Sequence, residues 1–314
     1  MCIIYSEVYI MNKKDLWNIF MKTGKVSDYL RYKSASDKHQ DTRSPAWQFW
    51  IWRPPRNFIS ITPMLRSLTM TVLTDGIIIN ERPLKEKDKI ITVLTREKGV
   101  ISVFANGAKV GKHSSATGLL AYSDLSLAST KGDSYVLKDA VPKQVFFRLR
   151  EDLTVLSLAQ YFAELTYELC PREDKADSEL SLILNSLHLL CEGKKPASLV
   201  KSVTELRLLT LAGYMPAVEC CSECGCDLTE EAIFFNYTTG EFFCEKCAGG
   251  KRLLPCSVGV LSAIRYICLA PQNKIFSFSL SEDGLSALSD ISERYLKSIT
   301  GKKFKTLDFY KKMI

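Results

Sequence analysis

Histidine is scarce in this sequence: the 314 residues include only His39, His113 and His188. None of the three lies at a spacing typical of a metal site or a catalytic triad, so the commonest general base of enzymes has no partner here. A hydrolytic zinc centre would also need an open coordination position or an acid–base pair. We therefore predict that the protein is not an enzyme.

Long hydrophobic runs are also missing. No stretch approaches the ~20 consecutive apolar residues of a membrane-spanning helix, and residues 1–7 lack the basic start of a signal peptide. Eleven cysteines could suggest disulfides, but Cys170, Cys191 and Cys268 fall within apolar helical patterns and four others form the metal pattern described below. This distribution favours a reducing compartment. We expect a cytoplasmic protein without membrane association.

Tryptophan is absent after Trp52, and the first 69 residues differ in pattern from the rest. They show almost no sustained helical or strand periodicity, and prolines cluster around the last three tryptophans. One hypothesis is an additional module that binds nucleic acid through aromatic residues together with Arg53 and Arg56. We favour the alternative that residues 1–69 are a non-native or disordered extension and that translation starts at Met70.

Two cysteine pairs form the most specific motif in the chain. Cys221 and Cys224 enclose two residues, as do Cys244 and Cys247, and 19 residues separate the pairs. Thiolates about 2.3 Å from a tetrahedral zinc ion lie roughly 3.8 Å apart, and two cysteines in one tight turn supply such an edge. The spacing matches a common zinc pattern. We therefore predict a zinc ion bound by these four residues.

The predicted zinc site is structural. Four protein ligands leave no position for water, which is typical of zinc ions that stabilise a fold. The residues between the pairs predict a short hairpin with its turn at 239–240, as in a zinc ribbon. A redox Cys-x-x-Cys motif is the rival interpretation, which the paired spacing disfavours. Cys220 and Cys226 lie beside the first pair and remain alternative ligands.

From Met70 onward, short apolar segments alternate with turns. The predicted strands are residues 73–81, 89–95, 100–106, 121–128 and 134–140. Five short strands with tight connections predict a small closed barrel, and a five-stranded oligonucleotide-binding (OB) fold is the natural candidate. An SH3-like barrel remains an alternative. We place this domain at residues 70–148.

The second half of the chain has helical periodicity. The predicted helices are residues 152–170, 178–192, 199–212, 257–269 and 281–300. The zinc motif lies between the third and fourth of them, as an insertion at about residues 217–250. The expected fold class is therefore α+β and multidomain: an OB barrel followed by a helical domain, residues 149–314, with an inserted zinc unit that has four cysteine ligands.

Charge is distributed unevenly along the chain. Residues 70–150 hold 13 Lys and Arg against 8 Asp and Glu, whereas residues 151–314 hold 18 against 22. A basic domain beside an acidic one places polyanion binding in the barrel, although an ordinary solvated surface would have a similar charge. The candidate phosphate contacts are Lys85, Lys87, Lys89, Arg96, Lys98, Lys109 and Lys112.

The loop around two of these lysines is not a nucleotide-hydrolysing P-loop. That motif needs G-x-x-x-x-G-K-[ST]. Gly107 and Gly111 are one residue too close together, and His113 stands where serine or threonine belongs. The loop suits non-specific contacts with nucleic-acid phosphates better than nucleotide hydrolysis.

Several segments resemble the RecO family of bacterial recombination mediators, in the order in which family members have them. The segments are residues 74–79, 88–101, 208–216, 275–278, 291–296 and 305–309. The resemblance extends from Met70 to about Phe309 and includes the basic barrel, the helical domain and the cysteine pairs between helices. All four paired cysteines are present, so a metal ion is expected.

The resemblance implies an activity in DNA repair that the composition does not reveal. It implies binding to single- and double-stranded DNA, annealing of complementary strands, binding to SSB, and work with RecR to load RecA on SSB-coated DNA. It also implies association with the nucleoid in the cytoplasm. Two other classes stay open: a zinc-ribbon enzyme that modifies nucleic acids, and a transcription adaptor with sequence-specific DNA binding.

Overall fold

A computed structural model describes residues 71–84, 86–111, 113–129, 134–229 and 232–314. The predictions for residues 1–69, and for Lys85 and Lys112, lie outside these described residues. Within them, no helix combines the length and the apolar character that crossing a membrane requires.

Five strands close into a barrel. They are β1 Thr71–Pro83, β2 Lys89–Thr95, β3 Gly99–Ala105, β4 Ala121–Ser129 and β5 Ser134–Val145. The order around the barrel is β1, β2, β3, β5 and β4, with β4 pairing back onto β1. Every pair is antiparallel except β3 with β5. The two longest strands, β1 and β5, contain register shifts and each pair with two neighbours, which lets the sheet bend and close.

The run of three isoleucines in β1 is explained by burial on both faces of the strand. Successive side chains of a strand point to opposite faces. Ile78 lies inside the barrel with Ile91 and Val93, whereas Ile77 and Ile79 belong to the hydrophobic cluster of the helices. The barrel therefore has its own interior and also supplies part of its outer surface to a second core.

Seven helices follow the barrel in the described part of the chain, after a 3-10 turn at Phe147–Arg150. They are α1 Leu153–Leu169, α2 Asp177–Glu192, α3 Ala197–Leu211, α4 Glu245–Ala248, α5 Val258–Leu269, α6 Glu282–Thr300 and α7 Lys305–Tyr310. Capping side chains explain where three of these helices begin. Asp152, Ser257 and Ser281 each accept hydrogen bonds from backbone N–H groups of the first turn.

Helix α3 is the centre of the helical region and contains a buried ion pair. Lys201 Nζ lies 3.0 Å from Glu205 Oε1, and both side chains are almost fully buried. Tyr161 on α1 and Ser292 on α6 donate hydrogen bonds of 2.6 Å to the Glu205 carboxylate. Buried charges need such partners to offset their desolvation. The network therefore fixes how α1 and α6 pack against α3.

The barrel joins the helices through the turn between β2 and β3. Val100 N–H donates to Pro171 O at 2.9 Å, and Ala176 N–H donates to Arg96 O at 3.0 Å. Gly99 has φ +58°, and a Cβ at this position would lie 2.1 Å from Pro171 O. Only glycine fits this close approach without displacing backbone.

The predicted order, a five-stranded sheet followed by a helical region, is confirmed. The predicted hairpin between the cysteine pairs forms β6 Ile233–Asn236 and β7 Glu241–Cys244. The structure adds a short strand β8, Leu254–Cys256, and the C-terminal helix α7, neither of which has a periodic signal. Both elements are too short for periodicity to detect, and β8 exists through its pairing with β6.

Candidate metal centre and nucleic-acid interface

A small three-stranded sheet carries the cysteine motif. Its strands lie in the order β7, β6, β8. The unit lies in the chain between α3 and α5 and shares their hydrophobic cluster. Phe235 of β6 packs edge-on against Tyr295 of α6, with ring centroids 5.6 Å apart. The sheet is thus packed against the helical region into which it is inserted.

Four thiols converge at the end of this sheet. The Sγ atoms of Cys221, Cys224, Cys226 and Cys244 all lie within 4.8 Å of one another. The sulfurs of Cys224 and Cys244 are 3.7 Å apart, which fits the ~3.8 Å edge of a tetrahedral zinc–thiolate site. An all-sulfur donor set suits a soft or borderline metal such as zinc. These residues can hold a metal ion.

Three of the four predicted ligands are in this group, and the fourth, Cys247, lies beside it. Cys247 is on α4, directly after β7, and its thiol interacts with the sulfurs of Cys221, Cys224 and Cys244. Cys226, which the sequence offered only as an alternative, is in the group. Five thiols therefore surround one prospective metal position.

Backbone hydrogen bonds prepare Cys221 for metal binding. Burial opposes ionisation of its thiol, but the backbone N–H groups of Cys224, Cys244 and Glu223 lower its pKa to about 6. The bond from Cys244 N–H to Cys221 Sγ measures 3.5 Å. Thiolate is the form of cysteine that binds metal. The turn thus favours the required protonation state at this position.

The other thiols divide into two kinds. Backbone N–H donation by Cys247 lowers the pKa of Cys244. Interaction with Cys224 raises the pKa of Cys226 to about 12, and burial together with neighbouring sulfurs raises the pKa of Cys247 to about 12. These two shifts favour the protonated thiol at Cys226 and Cys247.

The predicted cationic residues that the structure describes do not form one patch. Lys87 is exposed two residues before β2, and its carbonyl accepts a 3.2 Å hydrogen bond from Lys109 N–H. Arg96 and Lys98 follow the other end of the seven-residue strand β2, about 20 Å away at the usual strand rise. The structure therefore brings Lys87 and Lys109 together at one end of the barrel and leaves Arg96 and Lys98 at the other.

Two of the predicted phosphate contacts are engaged within the protein. Lys89 is 6% exposed, and its Nζ donates to Glu81 at 2.8 Å and to Thr117 O at 2.7 Å. Arg96 Nη2 lies 3.0 Å from the Asp75 carboxylate, and Arg96 also pairs with Asp177. Both cations join structural elements, so their charges are already engaged within the protein.

A groove with a basic and aromatic rim lies at the Lys109 end of the barrel. It has a volume of about 680 Å³. Its lining residues include Lys109, Ser114, Ser115, Phe147 and Arg150, together with the ion pair of Lys89 and Glu81. Phe147 is 65% exposed, so its ring is accessible to a base that could stack on it. The groove therefore offers a positive rim and an aromatic ring to a nucleic-acid strand.

Phe147 and Arg150 are not among the interface residues that the sequence predicts. They occupy the 3-10 turn between the barrel and α1, where neither a strand nor a helix period is present. The local run Phe-Phe-Arg-Leu-Arg at 146–150 combines aromatic and basic residues, and that composition was the available signal. Its placement beside the Lys109 loop depends on barrel closure, since Ala121 of β4 pairs with Val145 of β5.

The outer face formed by β1, β4 and β5 has the opposite character. A groove of about 600 Å³ on this face is lined by Asp75, Asp124 and Asp139, with Lys143 as its cation. Lys143 Nζ lies 3.2 Å from Asp124 Oδ1, so its charge is largely neutralised. Ion pairs also neutralise part of the negative charge on Asp75 and Asp124, so this face is weakly acidic and attracts phosphates less than the Lys109 end does.

Comparison with known proteins matches both halves of the chain. The family model described as "Recombination protein O N terminal" matches residues 70–146, and "Recombination protein O C terminal" matches residues 150–308. A DNA repair protein RecO of Acetivibrio thermocellus is 34% identical over 241 residues, covering 76% of this chain and 95% of the relative. That of Caldicellulosiruptor bescii is 29% identical, covering 76% and 98%, and that of a Roseiflexus species is 31% identical, covering 75% and 83%. The chain belongs to the RecO family.

Proposed function

We propose that the protein is a recombination mediator in DNA repair that binds single- and double-stranded DNA and anneals complementary strands. Membership of the RecO family, whose members cited above are named DNA repair proteins, supports the repair function. The five-strand barrel with its parallel β3–β5 contact supports assignment as an OB fold. The proposal gives the protein no catalytic step.

The groove beside the 3-10 turn carries the proposal. Lys109 and Arg150 line the same groove as the exposed ring of Phe147. A cation fixes a backbone phosphate, whereas an aromatic ring stacks on a base of any identity. This combination fits sequence-independent binding of a single strand, which a mediator requires.

Annealing follows from charge neutralisation without bond-making chemistry. Two complementary strands repel each other through their phosphates, and bound cations reduce that repulsion. Each contact also releases a condensed counterion, so affinity falls steeply as salt concentration rises. The acidic face with Asp124 and Asp139 then limits how far a strand can extend around the barrel.

The metal would have a structural role. Cys221, Cys224 and Cys244 would hold it together with Cys226 or Cys247, and the bound ion would cross-link the turns around the small sheet. The cluster consists of cysteines alone. Four thiolate ligands would fill the coordination sphere of a tetrahedral ion and leave no open position for water. Its binding free energy would stabilise the unit that packs on Tyr295.

Protein partners complete the proposed function. We infer that the protein binds SSB and acts with RecR, so that RecA is loaded on SSB-coated DNA. These partners rest on the family relationship. The helical region has a net negative charge, so it attracts DNA less than the barrel does and leaves its surface available to proteins.

A strand-annealing assay tests the proposal. Complementary oligonucleotides are mixed with the full chain, without nucleotide triphosphate, over a series of salt concentrations. We expect annealing that is independent of sequence and declines with salt. Turnover of a nucleic-acid bond would indicate the enzyme alternative. Binding to one sequence with weak salt dependence would indicate the transcription adaptor.

A further inference from the structure

The metal site contains one thiol more than a tetrahedral ion needs. Cys221, Cys224 and Cys244 belong to both possible ligand sets: each lies within 4.8 Å of Cys226, and each interacts with Cys247. Cys226 and Cys247 are therefore two candidates for the same fourth position. We propose that they exchange as the fourth metal ligand while the other three cysteines stay bound. The inference rests on the proposed structural metal.

Charge limits the site to four thiolates at a time. A divalent ion with four thiolates has a net charge of −2, and a fifth thiolate would raise this to −3. The nearby cation Lys251 is paired with Glu223 and lies 4.0 Å from the ring centroid of Phe243, so it cannot fully compensate a further negative charge. The fifth cysteine accordingly remains a protonated thiol beside a completed tetrahedron.

The two competing cysteines lie in short segments next to glycines. Cys226 is exposed and follows Gly225, which has φ +72° and open space where a Cβ would lie. Cys247 lies on the four-residue helix α4, which ends at Gly249. By contrast, Cys221 is 1% exposed and accepts a backbone hydrogen bond from Cys244. Cys221 is therefore the most enclosed thiol of the set, and Cys226 and Cys247 are both less buried.

The exchange step needs no external reagent. The entering thiol loses its proton to solvent as its sulfur forms a bond to the metal. The leaving thiolate takes a proton from solvent as its bond to the metal breaks. The oxidation state and the net charge of the site are the same before and after. One thiol of the pair is therefore always available to solvent while the metal stays bound.

Cobalt substitution tests the exchange directly. We compare the full chain with Cys226→Ser, with Cys247→Ser and with the double variant, and Cys220→Ser serves as the control because Cys220 lies outside the cluster. Each single variant is expected to bind one Co²⁺ per chain with the absorption spectrum of four thiolates. The double variant is expected to show the weaker charge-transfer band of three thiolates.

Two results would overturn the exchange. If Cys247→Ser alone gives the three-thiolate spectrum, Cys226 does not bind, and the reverse result shows that Cys247 does not bind. Limited alkylation of the zinc-loaded protein gives a second readout. Peptide mapping is expected to find label divided between Cys226 and Cys247, with metal retained, whereas label on one alone contradicts the inference.

The proposed function fails by different measurements. If the full chain binds no metal, the inference and the structural role of the metal both fall. Strand annealing is measured separately and reports on the DNA-binding part alone. A chain that anneals DNA and shows a fixed set of four ligands would therefore contradict only the exchange.

Discussion

Arg96 and Asp75 form a bidentate ion pair: Nε and Nη2 of Arg96 each donate a hydrogen bond of 3.0 Å, to different oxygens of the Asp75 carboxylate. The same guanidinium pairs with Asp177, the first residue of α2. Asp75 is on β1, so one cation joins a barrel strand to a helix. This relationship gives Arg96 a structural role, which the sequence did not indicate.

Replacing Arg96 by alanine is expected to destabilise the protein without weakening DNA binding. Charge-assisted hydrogen bonds of this kind contribute about 1.5–3 kcal/mol, and the 33% exposure of the Arg96 side chain reduces the expected loss to about 1–2 kcal/mol. Urea unfolding measures the change. Lys98→Ala, in the same turn, is the matched control and should have a small effect.

The loss of stability caused by Arg96→Ala should depend on pH. Burial opposes ionisation of Asp75, but hydrogen bonds from Arg96 and Tyr122 and the charges of Arg96 and Lys143 give a net lowering of its pKa. A carboxyl with a lowered pKa stabilises the fold above the unfolded-state pKa, about 4, and this contribution is lost as pH falls through the folded-state value. The stability difference between wild type and Arg96→Ala should therefore shrink below about pH 4. A constant difference would assign the effect to packing.

Replacing Phe147 by alanine is expected to weaken binding to single-stranded DNA by about 1–3 kcal/mol, since base stacking on an aromatic ring contributes that much. Double-stranded DNA should be affected less, because its bases are already stacked on each other. Fluorescence anisotropy measures the affinity for each kind of DNA, and the loss for single strands is compared with the loss for duplexes. Val141→Ala is the control, since Val141 is also exposed (56%) but belongs to the acidic groove. Equal losses for both substrates would argue against stacking.

Substitution of Lys109 or Arg150 by alanine is expected to reduce the salt dependence of binding. Each phosphate contact contributes about 0.7 to the slope of log affinity against log salt for a single strand. Each single variant should lower the slope by roughly that amount, and the double variant by about twice as much. Lys98→Ala, at the far end of β2, should leave the slope unchanged. If Lys98 changes the slope and Lys109 does not, the interface lies at the other end of the barrel.

Gly240→Ala is expected to loosen the small sheet from the helices. Gly240 has φ +78°, and a Cβ there would lie 2.6 Å from the Tyr295 hydroxyl oxygen. Gly193→Ala is the matched control, because Gly193 has φ +66° and no atom within 4 Å. Both variants place alanine in the left-handed backbone region, which costs about 1–2 kcal/mol. A larger loss of stability at Gly240 than at Gly193 therefore measures the clash with Tyr295. Thermal unfolding reports both, and equal losses would show that Tyr295 moves aside without cost.

Metal removal is expected to lower the thermal stability of the protein. A structural metal contributes its binding free energy to the fold, and a loss of several kcal/mol would lower the midpoint by about 5 °C or more for a chain of this size. Wild type is heated with and without a chelator. Cys224→Ser should already have the lower midpoint and respond little to the chelator. An unmoved wild-type midpoint would contradict a structural metal.

Local sequence patterns were sufficient for much of the fold. Strand and helix periods depend on residues two to four positions apart, so the five barrel strands and the main helices could be predicted, as could the caps Ser257 and Ser281. The cysteine spacing identified the metal motif for the same reason, since each pair sits in one turn. The 3-10 turn, β8 and α7 have too few residues to produce a period.

Sequence by itself determined which residue types are present and where the strands, helices and cysteine pairs form. Tertiary structure decided which of them meet. Arg96 and Asp75 are 21 positions apart, and Arg96 and Asp177 are 81 apart, so no local pattern could show that this cation is already paired. Barrel closure placed Phe147 beside the Lys109 groove, and the fold of the small sheet brought Cys244 to Cys221, Cys224 and Cys226. Coulomb and dispersion energies depend on distance in space, and separation along the chain does not specify that distance.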